Sequence, residues 1–221
     1  MYRIVGLALL ALGVTVGAVR AAAPSQAESE QTLPQFLNWL NRPEQQAGQV
    51  LALNRAEPAG LVPPCAGLEQ VGMTGWMAVE PIVWSQPEQQ PTAGSWIERF
   101  SADRCGQTVV RRLLVSVDRR GQVHYSGLIP GETLVNYTLE MRARGVIIRR
   151  AQERLNCRDP RRLVWLNTAV TKQLGSNSGA NHWRERWSGI ACGQNFVIDL
   201  DFAPNPRNLT DPKEVTVTIV E

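Results

Sequence analysis

Lysine is almost absent from this chain: of 23 basic residues, all but Lys172 and Lys213 are arginine. Histidine is reduced to His124 and His182, and cysteine to Cys65, Cys105, Cys157 and Cys192. No two cysteines form a C-x-x-C pair and only two imidazoles could assist them, so a zinc site is not expected. There is no G-x-S-x-G elbow to expose a nucleophilic serine. The glycine-rich stretch at 175–179 lacks the lysine and the strand-to-helix setting of a phosphate loop. Past residue 19 no uncharged apolar run approaches the roughly 20 residues a spanning helix needs. What the chain does have is 43% hydrophobic and 19% charged residues over 221 positions, which excludes disorder as its dominant state.

Residues 1–27 read as a secretory signal peptide. Arg3 supplies the positive start, an uncharged run fills 4–19, and small residues then offer cleavage after 21, 23 or 27, with Pro24 opposing the second. No cysteine stands at these points, so lipid anchoring is not expected. The reading places the mature chain in the periplasm or outside the cell, where four cysteines are expected as two disulfides. Loss of Arg3 and Arg20 lowers the formal net charge from +3 to +1. A nucleic-acid partner is thereby disfavoured. The expected partner is an envelope component or another protein, no cofactor is called for, and the oligomeric state is left open.

A repeat organises the rest. Residues 96–110 read WIERFSADRCGQTVV and residues 183–197 read WRERWSGIACGQNFV, an ungapped match at an offset of 87. Eight positions are identical, in the pattern W-x-E-R-[FW]-S-x-x-x-C-G-Q-x-x-V. Upstream of each copy lies a polar loop (86–95 and 173–182), and before it a Trp-bearing apolar segment (75–84 and 163–171). Downstream, Phe196, Ile198, Leu200 and Phe202 alternate with Val197, Asp199 and Asp201 as in a half-buried strand. Val109, Leu113 and Val115 keep the same phase in the first copy, with Arg111 as the exception. Return strands are expected at 122–126 and 215–220. Helical periodicity precedes each first cysteine, over 33–55 and over 133–155, the latter opening after Pro130-Gly131-Glu132-Thr133. The expectation is an α+β protein of two tandem units, 28–129 and 130–221, each a helix followed by a short antiparallel sheet. Equivalent places in the two units pair Cys65 with Cys105 and Cys157 with Cys192, each bridge stabilising by roughly 3–4 kcal/mol on loop entropy. Crossed pairing between units is the alternative. Trp76, Trp96, Trp165 and Trp183 fall at comparable places and are expected in the cores.

Candidate chemistry is thin. Within each strand Trp96, Glu98 and Phe100 share one face, as do Trp183, Glu185 and Trp187. A carboxylate between two aromatics is desolvated and suits a general acid. Yet catalytic residues are seldom duplicated one per unit, so a scaffold role is favoured. His182, on a Gly/Asn/Ser loop, is an unmatched candidate base. Between 140 and 162 eight arginines face three acids. Arg142, Arg149, Arg150 and Arg154 recur at helical spacing and form a candidate anion-binding stripe. The bland alternative is a solvated helix face.

The twice-occurring string W-x-E-R-[FW]-S-x-x-x-C-G-Q resembles a motif of uncharacterised exported proteins of Gram-negative bacteria, in which an aromatic-E-R-W-type strand leads into C-G and an apolar strand. The Pro130–Thr133 opening is similar too. The resemblance covers about 90 residues of the second unit closely and the first loosely, and it implies no reaction, ligand or functional residue. The reading is a periplasmic or secreted, non-catalytic binding or interaction protein. The alternative is a cell-envelope hydrolase using Glu98, Glu185 or His182.

Overall fold

The computed structural model describes residues 26–57, 67–174, 182–204 and 215–220. Most of the expected signal peptide, Cys65 and most of the 173–182 loop lie outside them. The chain is α+β, with two four-stranded antiparallel sheets. Helices α1 (Gln26–Leu40) and α2 (Pro43–Ala56) precede the first meander, β1 (Glu69–Ser85), β2 (Gln90–Arg104), β3 (Gln107–Val117) and β4 (Val123–Gly127). Helix α3 (Tyr137–Arg154) precedes the second, β5 (Leu163–Leu174), β6 (His182–Ala191), β7 (Gln194–Pro204) and β8 (Val215–Val220).

The repeat motif is a β-hairpin. Cys105 and Gly106 join β2 to β3 with φ of 52° and 77°, and Cys192 and Gly193 join β6 to β7 with φ of 51° and 85°. Two successive positive φ values mark the type I′ turn, whose twist matches that of the strands it connects. Glycine meets this demand at the second position. A cysteine stands where Asn or Asp is usual at the first. In the second unit a disulfide explains it: Cys157, just past α3, bonds Cys192 with the Cα atoms 5.5 Å apart.

The first core gathers Phe36, Trp39, Leu40 and Leu53 from the helices with Trp96, Phe100, Leu113 and Val115 from the sheet. Phe36 meets Trp76 and Trp96 edge-on, with centroids 4.9 and 5.0 Å apart. The second core packs Leu139, Ala143, Ile147 and Ala151, every fourth residue of α3, on Trp183, Trp187, Leu200 and Phe202. No described helix is long and apolar enough to cross a membrane.

Three local expectations need correction. The single helix predicted over 33–55 is two, because Pro43 forces Arg42 into extended backbone (φ −66°, ψ 142°) and then opens α2. Helix α3 starts after Asn136, whose Oδ1 accepts from the Leu139 amide at 2.9 Å. Thr133 stays outside the helix, with its hydroxyl donated to Glu185. Finally, Trp76 and Trp165 are not equivalent. Trp76 lies opposite Glu98, whereas Trp165 lies opposite Gly189, because bulges in β1 and β5 break the register outside the motif.

The connector at 128–136 joins the sheets. Beyond β4 it continues along β3, with the Leu128 amide donating to Arg112 O and the Gly131 amide to Val110 O. On its other side the Thr168 amide donates to Pro130 O at 2.7 Å and the Glu132 amide to Thr168 O at 2.9 Å. Gly131 has φ of 101°, and a Cβ there would lie 2.2 Å from Thr168 O, so only glycine fits.

Candidate functional site

Strand alternation puts Trp183, Glu185 and Trp187 on the buried face of β6. Glu185 Oε1 accepts from Trp183 Nε1 at 2.9 Å and from the Leu134 amide at 2.8 Å. Its Oε2 accepts from Trp187 Nε1 at 2.9 Å and from Thr133 Oγ1 at 2.7 Å. Four donors surround this carboxylate, which has no exposed surface. It is a fully satisfied anchor for the connector, and no acceptor position remains for a substrate.

Glu98 occupies the same place in the first unit and is equally buried. Trp96 Nε1 donates to its Oε1 at 2.8 Å. At the position of Trp187 stands Phe100, which has no N–H to give, and Glu98 Oε2 makes no hydrogen bond among the described residues. The amide of Gln49, on α2, acts on the carboxyl, but its Nε2 is likewise buried without a hydrogen bond. The amide lies close enough to lower the carboxyl's pKa without completing a hydrogen bond. Desolvation dominates and raises Glu98 to about 7, against the lowering effects of Trp96 and Gln49. Across the core Tyr125 donates to Gln45 Oε1 at 2.8 Å. Burial, and then the charge of Glu98, raise this phenol to about 12.

A cleft of about 460 Å³ lies where the two sheets meet. Thr108 to Arg111 of β3 form one wall and Leu166 to Ala169 of β5 the other, with Pro130, Gly131 and Glu132 of the connector between them. Glu57, just past α2, closes one end. It accepts from Arg104 Nε at 2.7 Å and from Arg111 through both Nε and Nη2. These arginines hold the Glu57 carboxyl below its usual range although burial opposes them. The ion cluster also explains Arg111, the exception to the apolar alternation in β3: it sits on the inward face at the sheet end, where Glu57 meets its charge.

Neither Glu98, Glu185 nor His182 lines this cleft. Glu98 and Glu185 belong to different sheets, each inside its own core. His182 is half-buried at the start of β6, its Nε2 buried without a hydrogen bond among the described residues. Arg142, Arg149 and Arg154 are exposed on α3, while Arg150 is partly buried with Nη1 3.7 Å from Glu153. Arg144, on the same helix but outside that stripe, donates to buried Glu140 at 2.6 Å. Among the described residues no group of three or more His, Cys, Asp or Glu side chains is arranged to hold a metal ion.

Sequence reasoning missed the cleft, because its walls come from β3, β5 and the connector, which no local pattern brings together. It also missed Arg112, a buried arginine on β3 that donates to Ile129 O at 3.0 Å and to Glu140 of α3 at 2.9 Å. No family model, curated protein or solved structure matches the chain.

Proposed function

We propose that the chain is an exported, non-catalytic binding protein of two tandem units, and that the cleft between the units receives its ligand, an envelope component or a protein partner. The observation that carries this reading is the composition of the cleft: it takes polar side chains from both units (Glu57, Arg104 and Arg111 from one, Glu132 and Asn167 from the other) beside the apolar Val109, Val110, Pro130 and Leu166. Recognition sites commonly combine an apolar lining with a few fixed polar groups at such junctions. A hydrolase would need Glu98, Glu185 or His182 to reach a substrate, and the two carboxylates have no exposed surface.

Export rests on the N-terminal segment and on the cysteines. With Cys157 bound to Cys192, the remaining pair is Cys65 and Cys105, and a bridge between them would complete one disulfide per unit. The exposed Arg142, Arg149 and Arg154, with Arg150, supply secondary contacts to an anionic surface.

The test is retention of material from an envelope extract on immobilised protein. Thr108→Trp places an indole at an exposed position of the cleft wall and should abolish retention with melting temperature unchanged. Arg149→Ala with Arg150→Ala should weaken it only at low salt. Retention indifferent to Thr108→Trp would exclude the cleft.

A further inference from the structure

The two copies of the motif provide an internal comparison. Glu185 has four hydrogen-bond donors; among the described residues Glu98 has one bonded donor, Trp96, and its second oxygen, near the Gln49 amide, completes no hydrogen bond. The difference traces to Phe100 in place of Trp187, and to the helix α2 lying where the second unit has its connector. We propose that Glu98 is a proton-binding switch in the first core: protonated, it lets α2 seat on the sheet; ionised, it loosens α2 and with it the Glu57 clasp that closes the cleft.

Among the described residues, the surroundings of Glu98 supply no countercharge. Helix α1 contributes Phe36, Trp39 and Leu40 to this core, and α2 contributes Gln49 and Leu53. Trp76 of β1 and Leu113 of β3 lie opposite Glu98 in register. Tyr125 of β4 is the titratable group facing it, and its raised pKa keeps it neutral and protonated. The charges at the end of this face, Arg111 and Arg104, are taken by Glu57. An ionised Glu98 thus has the indole of Trp96 and the weak influence of the Gln49 amide to stabilise it. A buried charge without a partner is relieved by hydration. The element that can yield is α2, since Glu98 itself lies on β2, a central strand paired on both sides. Gln45 and Gln49 sit on α2, and Glu57 follows its last residue, so movement at Gln49 is transmitted to the cleft. A neutral carboxylic acid avoids the charge cost, and its O–H can donate to the Gln49 carbonyl once that amide turns over.

The linkage has a definite sign. With a folded-state pKa of about 7 against 4.5, the closed state holds a proton that the opened state releases. Opening of α2 then becomes about tenfold easier per pH unit between about 5 and 7, and levels off above. The effect on the cleft rests on the binding reading above; the switch itself does not.

Hydrogen exchange of the α2 amides, corrected for intrinsic rates and run without ligand, tests it directly. From pH 5.5 to 6.5 the wild-type protection should fall about tenfold, and Glu98→Gln should make it independent of pH. Phe100→Trp, which installs the donor that Glu185 enjoys, should move the response to lower pH. Infrared spectra provide a readout that needs no folded variant: a protonated-carboxyl band present at pH 6 and gone by pH 8.5. Flat wild-type protection, an equal pH response in Glu98→Gln, or absence of that band would overturn the proposal. Failure of the extract experiment would leave it standing and remove the cleft reading alone.

Discussion

Glu98→Gln and Glu185→Gln make the same chemical change at equivalent positions, and the structure predicts opposite results. At Glu185 both carboxylate oxygens accept two hydrogen bonds each. An amide can accept on one side only. On the other, its NH₂ is driven against an indole N–H that has no acceptor capacity, so at least one charge-assisted bond is lost and a buried donor stranded. The lost bond is worth about 1.5–3 kcal/mol and the stranded donor about 1–3, giving a destabilisation of about 2.5–6 kcal/mol. For a chain of this size that lowers the melting temperature by roughly 10 °C. At Glu98 the amide keeps the Trp96 bond and removes a buried charge. The raised pKa means that the contribution of Glu98 to stability is fully present below pH 4.5, is lost as pH rises to about 7 and is flat beyond. A shift from 4.5 to about 7 corresponds to about 3 kcal/mol withheld from the ionised protein. Glu98→Gln should therefore raise the melting temperature by several degrees at pH 8, with the gain shrinking to about 1 kcal/mol at pH 5. Thermal unfolding followed by circular dichroism at both pH values decides it. Equal losses at the two positions at pH 8 would refute the reasoning, for the motif would then use its glutamates alike.

The Cys157–Cys192 bridge closes a separation of 35 residues, so Cys157→Ser with Cys192→Ser should cost about 4 kcal/mol, measured as a lower denaturant midpoint. Arg112→Leu leaves fully buried Glu140 with Arg144 and the Ile129 amide alone; a loss of about 3–5 kcal/mol is expected in denaturant unfolding, partly recovered by adding Glu140→Leu.

Much of this was legible because it is local. The period-2 alternation places Glu98 and Glu185 inward between aromatics, and the C-G-Q identity marks a hairpin that needs two left-handed residues. Two boundary errors were also legible in principle. Pro43 is an ordinary helix opener, and Asn136 an ordinary cap. Apolar periodicity over 33–55 and the earlier Pro-Gly turn outweighed them. What the sequence could not show is pairing across long separations. Nothing near Gln49 announces that it faces Glu98, and nothing near Glu57 that it meets Arg111, because those contacts exist only once α2 is laid on the sheet. Nor does a motif that repeats its glutamate reveal how many donors each copy will find, when two of the four on Glu185 come from the connector.

The same logic explains why two nearly matching sheets are not interchangeable. Opposite Arg186 on β6 stands Asp199 on β7, and opposite Arg184 stands Asp201; both arginines bind their partners through Nε and Nη2, at 2.6–3.1 Å. The second sheet thus neutralises its outer face by itself, and each carboxyl is held below its ordinary range by the guanidinium beside it. At the equivalent places in the first sheet Ile97 lies opposite Leu114, and Arg99 opposite Arg112. Two directly opposed arginines repel, and an apolar pair beside them wants cover. The second unit supplies the missing counterparts: Glu132 of the connector pairs with Arg99, and Glu140 of α3 with Arg112. Ile97 is left 5% exposed and Arg112 6%. Arginine at 112 where the other copy has aspartate at 199, with Ile97 and Leu114 in place of Arg184 and Asp201, turns a self-sufficient face into one that requires a neighbour. The outer face of the second sheet is therefore satisfied within that sheet, the first sheet draws its counterparts from the connector and α3, and the cleft lies beside the charge pairs that join them.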